Sequence, residues 1–409
     1  MNEAHLDKRY SSFVIGLLIL FPILINSVKI LGNMILLILV ILGLYIAIAE
    51  KKNPFKIQEL KVFSWITVGY FFIMLLSILI ADGFDARFVS LGRKAHFLLA
   101  PLIALSIYQI DLPFKNILLA LKAGLIIIGI VAMVQFLLGS SRPSGMINAN
   151  IFGDIAVAML FLSIVQVFNE KPKEQIVTFI AAVAGVVAIF LSGSRGSWLS
   201  FIILSITFIF LVYKPFLMGN KKNKLFLLLF FSVLFGFIGT QTDAGKKITN
   251  AVVNIQNWDN GDQTYTSSGI RMEMWESSLE AAKNSPWFGY GYRNSNKEVS
   301  KYVDSHNHTV AAFTHLHNEY LTNLLAGGLL GLVSLLVMLF VPMVFFYKNL
   351  KNQKTYYYAS AGILLSIGYA TFGFTHIAFG EEHINAFYIL FMGFLLPRVI
   401  NHDSNGAPR

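Results

Sequence analysis

The sequence predicts an all-α polytopic membrane protein. Three observations carry that prediction: the apolar fraction, the recurrence of apolar windows of spanning length, and the alternation of lysine-rich with lysine-poor connections. Of 409 residues, 56% are hydrophobic and 13% charged, and the mean hydropathy is +0.64, a balance that no soluble domain of this size shows. Apolar stretches of roughly 17 to 25 residues recur along almost the whole chain, each long enough to cross a hydrocarbon core as a helix. They place spans near 11–27, 30–49, 62–81, 95–110, 117–138, 151–168, 176–192, 196–213, 224–240, 319–347, 357–376 and 383–400, about twelve transmembrane helices.

The first run, SFVIGLLILFPILIN after Lys8 and Arg9, has the length of a signal peptide as well as of a helix. A retained helix is preferred because no small-x-small cleavage site follows. The connections EKKNPFKIQELK, NEKPKEQ, YKPFLMGNKKNK and YKNLKNQK are rich in lysine and belong, with Lys8 and Arg9, in the cytoplasm. The other set faces outward: the Arg87 to Lys94 segment, the Arg142 to Asn150 segment, the Ser192 to Ser197 turn, a long loop over about 241–318 and the FGEEH turn. An even number of helices returns the tail NHDSNGAPR to the cytoplasm, so both termini are cytoplasmic. The chain therefore reads as one integral membrane domain, with helices one to nine in 1–240, an outer loop subdomain in 241–318 and helices ten to twelve plus the tail in 319–409.

Within the loop, SSGIRMEMWESSLEAAKNSP has helical character. Ile270, Met274 and Leu279 fall on one side and Glu273, Glu276 and Glu280 on the other, with Pro286 as the stop. Cysteine is absent, which excludes disulfides, thiol nucleophiles and thiolate metal sites. The net charge of +10 does not point to nucleic acid once the basic residues are sorted by side, because the lysines collect in the inner loops.

That sorting leaves an anomaly. Six of the nine arginines (Arg87, Arg93, Arg142, Arg195, Arg271 and Arg293) fall in outer segments, where positive charge is disfavoured. Guanidinium is permanently charged and planar, and its donor fork matches phosphate and carboxylate oxygens bidentately. Gathered at the outer surface, such groups predict an anionic ligand at headgroup depth. Taken singly, Arg87 or Arg142 reads as an ion pair with a loop carboxylate or a lipid headgroup. Arg195 is different: the SGSRGS turn between two apolar runs holds it at the interface, and its small neighbours let a ligand approach. Trp198 then anchors the next helix at the interface.

The long loop closes with FTHLHNEYL, which puts His315 and His317 at the depth of Arg195. A histidine there can serve as a general base, with Asn318 or Glu319 orienting its ring or a substrate hydroxyl. A zinc site using His315 and His317 is the alternative. It is weaker because residues one apart point differently on a helix and no HExxH spacing exists; the His376, Glu381, Glu382 and His383 cluster reads equally as a solvated turn. The GYGYR stretch follows no strand, so a nucleotide reading is very weak. The AGGLLG stretch near Gly327 reads as close helix packing. Asp154 is an intramembrane carboxylate and a functional candidate by default, or a partner for an arginine. With Lys122 it gives the only hint of a charged path for the competing class, a transporter of an anionic lipid-linked glycan.

The turn SGSRG, the single long late loop and the HLHNEYL segment at its end together resemble the O-antigen ligase family, within the superfamily of O-antigen ligases, polymerases and protein O-glycosylating enzymes. The resemblance implies a glycosyltransferase of the GT-C type in the bacterial inner membrane, with a periplasmic active site. The donor would be an undecaprenyl diphosphate-linked glycan and the acceptor a sugar of the lipid A core, with inversion at the anomeric centre and no metal, nucleotide or other cofactor. By motif, Arg195 corresponds to the family's turn arginine and His317 to its catalytic histidine, while Arg271 and Arg293 match two further periplasmic arginines more loosely. The polymerase branch tends to have two substantial loops and the protein-glycosylating branch a C-terminal extension; both remain alternatives.

Overall fold

The structure is a computed structural model and describes residues 8–27, 30–82, 91–218, 267–303 and 316–403. Helices form along every expected span except the one near 224–240, which lies outside the described residues, and no strand occurs among the described residues. In chain order the helices are α1 (Lys8–Leu24), α2 (Leu31–Ala49), α3 (Gln58–Asp82), α4 (Ala95–Tyr108), α5 (Phe114–Leu137), α6 (Ala149–Ser163), α7 (Pro172–Leu191) and α8 (Arg195–Met218). Two shorter helices, α9 (Ser267–Ala282) and α10 (Gly291–Val299), belong to the loop. The last three are α11 (Glu319–Asn349), α12 (Tyr356–Thr375) and α13 (Glu382–Asp403). Among the described residues, seven helices are long and apolar enough to cross a membrane.

Local signals set the ends. Asn148 caps α6 by accepting the Asn150 amide at 2.8 Å, and α7 opens with Pro172 at its first position while Glu174 reaches back to the Lys171 amide at 3.2 Å. The apolar residues then divide by partner. Helices α6 and α13 are buried almost throughout and form the middle of the bundle. Helix α2 instead buries only one face, against α4, and leaves Leu37, Ile41, Tyr45 and Ile48 exposed, as a lipid-facing helix should.

The expected span 319–347 is two helices. Gly328 holds φ +61° and ψ −159°, a backbone region open essentially only to glycine. A Cβ on Gly331 would lie 2.7 Å from the Asn323 carbonyl oxygen, whereas eight residues of straight helix separate two positions by about 12 Å. The arm 319–327 therefore folds back on the arm 329–349. The break frees backbone groups, and the segment after α9 satisfies them: the Tyr290 amide donates to the Leu325 carbonyl at 2.7 Å, and the Leu329 amide donates to the Pro286 carbonyl at 2.6 Å. The AGGLLG stretch also packs closely, since Gly327 and Gly331 both face the Met74 sulfur, but its main effect is to bend the chain.

The loop helices rest on this bent element. Ile270, Met274, Ala281 and Ala282 of α9 form a small core with Val299 of α10, Leu316, and Leu325 of α11. The expected faces of α9 need correction at two positions: Leu279 is 52% exposed and Glu273 is 7% exposed. Alanines 281 and 282 complete the buried stripe in place of Leu279, which their spacing from Met274 allows.

Candidate functional site

The short turn between α7 and α8 is built from its small residues. Gly193 takes φ +65°, and the Ser192 hydroxyl donates to the Ile189 carbonyl at 2.7 Å and accepts the Ser194 amide at 3.2 Å. Ser194 is the N-cap of α8, accepting the Ser197 amide at 3.4 Å. Arg195 is thus the first residue of α8, where backbone N–H groups and the helix dipole already favour an anion. Beneath the turn, the buried Asp154 carboxylate accepts the Ser197 hydroxyl at 2.7 Å. On its flank, Gly196 lets α12 approach so closely that a Cβ there would lie 2.0 Å from the Thr375 hydroxyl oxygen. Trp198, expected at the interface, turns inward: it is buried, stacks on Phe190 and donates to the Ile189 carbonyl at 3.3 Å.

Two further arginines come to this turn from distant parts of the chain. Arg142 lies across it, donating from Nε to the Ser192 carbonyl at 3.2 Å and from Nη2 to the Asn150 side chain at 2.8 Å. Arg271 arrives on α9. Burial, and after it the positive charges of Arg195 and Arg142, hold its guanidinium below the usual arginine range. Arg293 is exposed on α10. Arg142 thus comes to the same turn as Arg195, and both lie near enough to Arg271 for their charges to act on it. Arg93 belongs elsewhere: it donates to the Gly380 carbonyl at 3.5 Å, and its own carbonyl accepts the Asn385 side chain at 2.8 Å. Arg87 and His315 lie outside the described residues.

The same α9 holds the chain ahead of His317. Its Trp275 indole donates to the Leu316 carbonyl at 2.9 Å, one turn along the helix from Arg271. His317 follows at φ 51°, a left-handed conformation that costs a non-glycine residue about 1 to 2 kcal/mol. Asn318, expected to orient the ring or a substrate hydroxyl, caps α11 by accepting the Leu321 amide at 3.0 Å.

Glu319 enters a buried polar network that the sequence reading missed. Its Oε1 accepts the Lys94 ammonium at 3.4 Å and the Asn323 side chain at 2.6 Å, and its Oε2 accepts the Phe379 amide at 3.0 Å. Lys94 also donates to the Tyr70 hydroxyl at 2.5 Å, and that hydroxyl donates to Asn323 at 2.9 Å. Both side chains of the ion pair are almost wholly buried, at 2% and 1% exposed. Tyr292 of α10 joins them: Lys94 lies 5.8 Å from its ring centre, and burial followed by the Glu319 charge raises its phenol well above the usual range. One signal could have exposed the pair. Lys94 and Glu319 are opposite charges, each abutting an apolar run on the outer side.

Other candidates resolve locally. Lys122 pairs with the buried Glu170, to which Thr178 also donates, and Asp154 is engaged by Ser197 rather than by an arginine, so neither marks an open charged path. His376, Glu381, Glu382 and His383 form no metal-ligand group, and no three His, Cys, Asp or Glu side chains do so among the described residues. Glu382 accepts the Asn33 side chain at 3.1 Å.

Comparison with known proteins adds a family. Residues 180–336 match the family model described as O-antigen ligase, a stretch that includes Arg195, Arg271, Arg293 and His317 but not Arg142. The chain is similar to an uncharacterized protein of Haemophilus influenzae, 29% identical over 361 residues, which is 85% of this chain and 88% of that protein. It is also similar to the ComP-specific O-oligosaccharyltransferase of Acinetobacter baylyi, 25% identical over 231 residues. That match spans 54% of this chain and 40% of that relative.

Proposed function

From the premise that this multi-pass membrane protein carries the O-antigen ligase domain over residues 180–336, we propose that it transfers a glycan from a lipid diphosphate to an acceptor hydroxyl. The donor is undecaprenyl diphosphate-linked O-antigen, the acceptor the lipid A core oligosaccharide, and the site faces the periplasm from the bacterial inner membrane. The observation that carries this reading is the convergence of Arg142, Arg195 and Arg271 at the N-terminus of α8. Like charges brought together in a half-buried place repel one another; a bound diphosphate converts that repulsion into attraction.

The chemistry follows from the positions. Arg195 and Arg271, with Arg142 beside them, bind the diphosphate and stabilise the charge that grows on it as the bond from the anomeric carbon to the phosphate oxygen breaks. The electron pair leaves with the diphosphate. His317 accepts the proton of the acceptor hydroxyl, whose oxygen attacks the anomeric carbon from the opposite face and inverts it. The Trp275 to Leu316 hydrogen bond and the Asn318 cap fix the backbone on either side of the histidine, which supports a positioned base. Arg293, exposed on α10, is left for the outer part of the donor.

The relative from Acinetobacter baylyi favours a second reading, transfer to a protein acceptor. Purified protein in detergent, given a lipid-linked glycan, distinguishes the two. Glycosylation of lipid A core oligosaccharide, undiminished by chelator and without ATP, is the expected result; glycosylation of a protein acceptor alone would select the second reading. In cells, loss of the protein should leave bare lipid A core while the lipid-linked polymer still forms.

A further inference from the structure

The lysine-rich end of the bundle carries a cleft of about 660 Å³ that the transfer reaction does not use. Its walls are Val68 and Phe72 of α3, Leu98 and Leu102 of α4 and Ala47 of α2. Gly43 closes it one turn above Ala47, where a Cβ would lie 2.0 Å from the Leu102 carbonyl oxygen, so that α2 and α4 are in backbone contact. Lys51 and Lys52 stand at the mouth.

The mouth is an ordered structure. The Asn53 carbonyl accepts the Lys56 and Ile57 amides at 3.0 and 3.2 Å, and the Ser64 hydroxyl donates to the Pro54 carbonyl at 3.5 Å. The Lys52 ammonium is fixed by Glu50 at 2.7 Å and Gln109 at 2.8 Å, which leaves Lys51 exposed beside it.

Aromatic residues give the depth. Phe55 packs edge-on against Trp65 at 4.9 Å, and Trp65 is 64% exposed, the placement of an indole at the headgroup boundary. Phe72 lies two turns further along α3, about 10 Å from Trp65 along the helix axis. The mouth, with two lysines and the one carboxylate of Glu50, keeps a net positive charge, and the walls behind it are apolar.

We propose that this cleft binds an anionic phospholipid of the cytoplasmic leaflet, its phosphodiester at Lys51 and Lys52 and an acyl chain along Phe72, Leu98 and Leu102. A zwitterionic lipid brings its own ammonium to the lysine pair and is disfavoured, so the site selects for net negative charge.

Thermal unfolding of the full chain in detergent tests this with dioleoylphosphatidylglycerol, dioleoylphosphatidylcholine and farnesyl phosphate as probes. The phosphatidylglycerol should raise Tm by roughly 3 to 6 °C more than the phosphatidylcholine, as a ligand of the native state does. Lys51→Ala/Lys52→Ala should remove most of that preference. Val68→Trp, which fills the cleft without touching the lysines, should remove it too. Equal effects of the two phospholipids, or a preference undiminished in the double-lysine variant, would overturn the proposal. A larger shift with farnesyl phosphate than with phosphatidylglycerol would also overturn it, since the occupant would then be an isoprenoid phosphate.

Discussion

His317 shows what a single residue demands of its surroundings. Its φ of 51° is strained for any side chain with a Cβ, and glycine would relieve the strain. His317→Gly should therefore be more stable than His317→Ala by about 1 kcal/mol while both lose transfer, which denaturant unfolding alongside an activity assay would show. Equal stabilities would mean that the backbone relaxes when the ring is removed. Arg271 gives the complementary case. Because burial, and after it the charges of Arg195 and Arg142, lower its proton affinity, a polyanion should stabilise the folded protein. Pyrophosphate at about 100 times its Kd should add about 2.7 kcal/mol, less at high salt, and Arg271→Ala should lose most of the gain in a Tm titration.

Among the elements, the Lys94–Glu319 pair and the bend at Gly328 determine how the His317 segment is held. A buried ion pair contributes little to stability against an apolar pair of similar volume, but removal of one partner leaves an uncompensated charge. Lys94→Met should cost about 3 to 5 kcal/mol, and Lys94→Met/Glu319→Leu should recover most of it. Turnover should remain low in the double variant, with KM little changed, because the anchor next to the His317 segment is gone. Wild-type kcat there would reduce the pair to a structural role. At Gly328 a Cβ would lie 2.2 Å from the Trp287 carbonyl carbon in a backbone region that alanine avoids. Gly328→Ala should destabilise by at least about 2 kcal/mol, measured by thermal unfolding, and release the Pro286 to Tyr290 segment from α11.

For the molecule as a whole, the helices were readable because lipid makes apolar length the dominant requirement. The bend in α11 was not. A Gly-Gly pair that packs two helices and one that reverses a helix have the same composition, and the choice depends on Pro286 and Tyr290, some forty residues away. The residues of the proposed site differ in how far the sequence alone singles them out. Arg195 stood out because its turn is short, and Arg271 because it opens a loop helix. Arg142 reaches the turn through its bonds to Ser192 and Asn150, contacts that no local pattern encodes. The Lys94–Glu319 pair was hidden because each charge marks the end of an apolar run and looks like a solvated boundary.

The decisive observation is glycan transfer by the purified Arg195→Lys variant, assayed in detergent from a lipid-linked donor beside the wild-type protein. Lysine keeps the charge but loses the bidentate fork, so kcat/KM should fall roughly 10- to 100-fold, the equivalent of losing about 1.5 to 3 kcal/mol of charged hydrogen bonding in the transition state. Transfer at the wild-type rate would mean that no guanidinium at this turn grips the departing diphosphate.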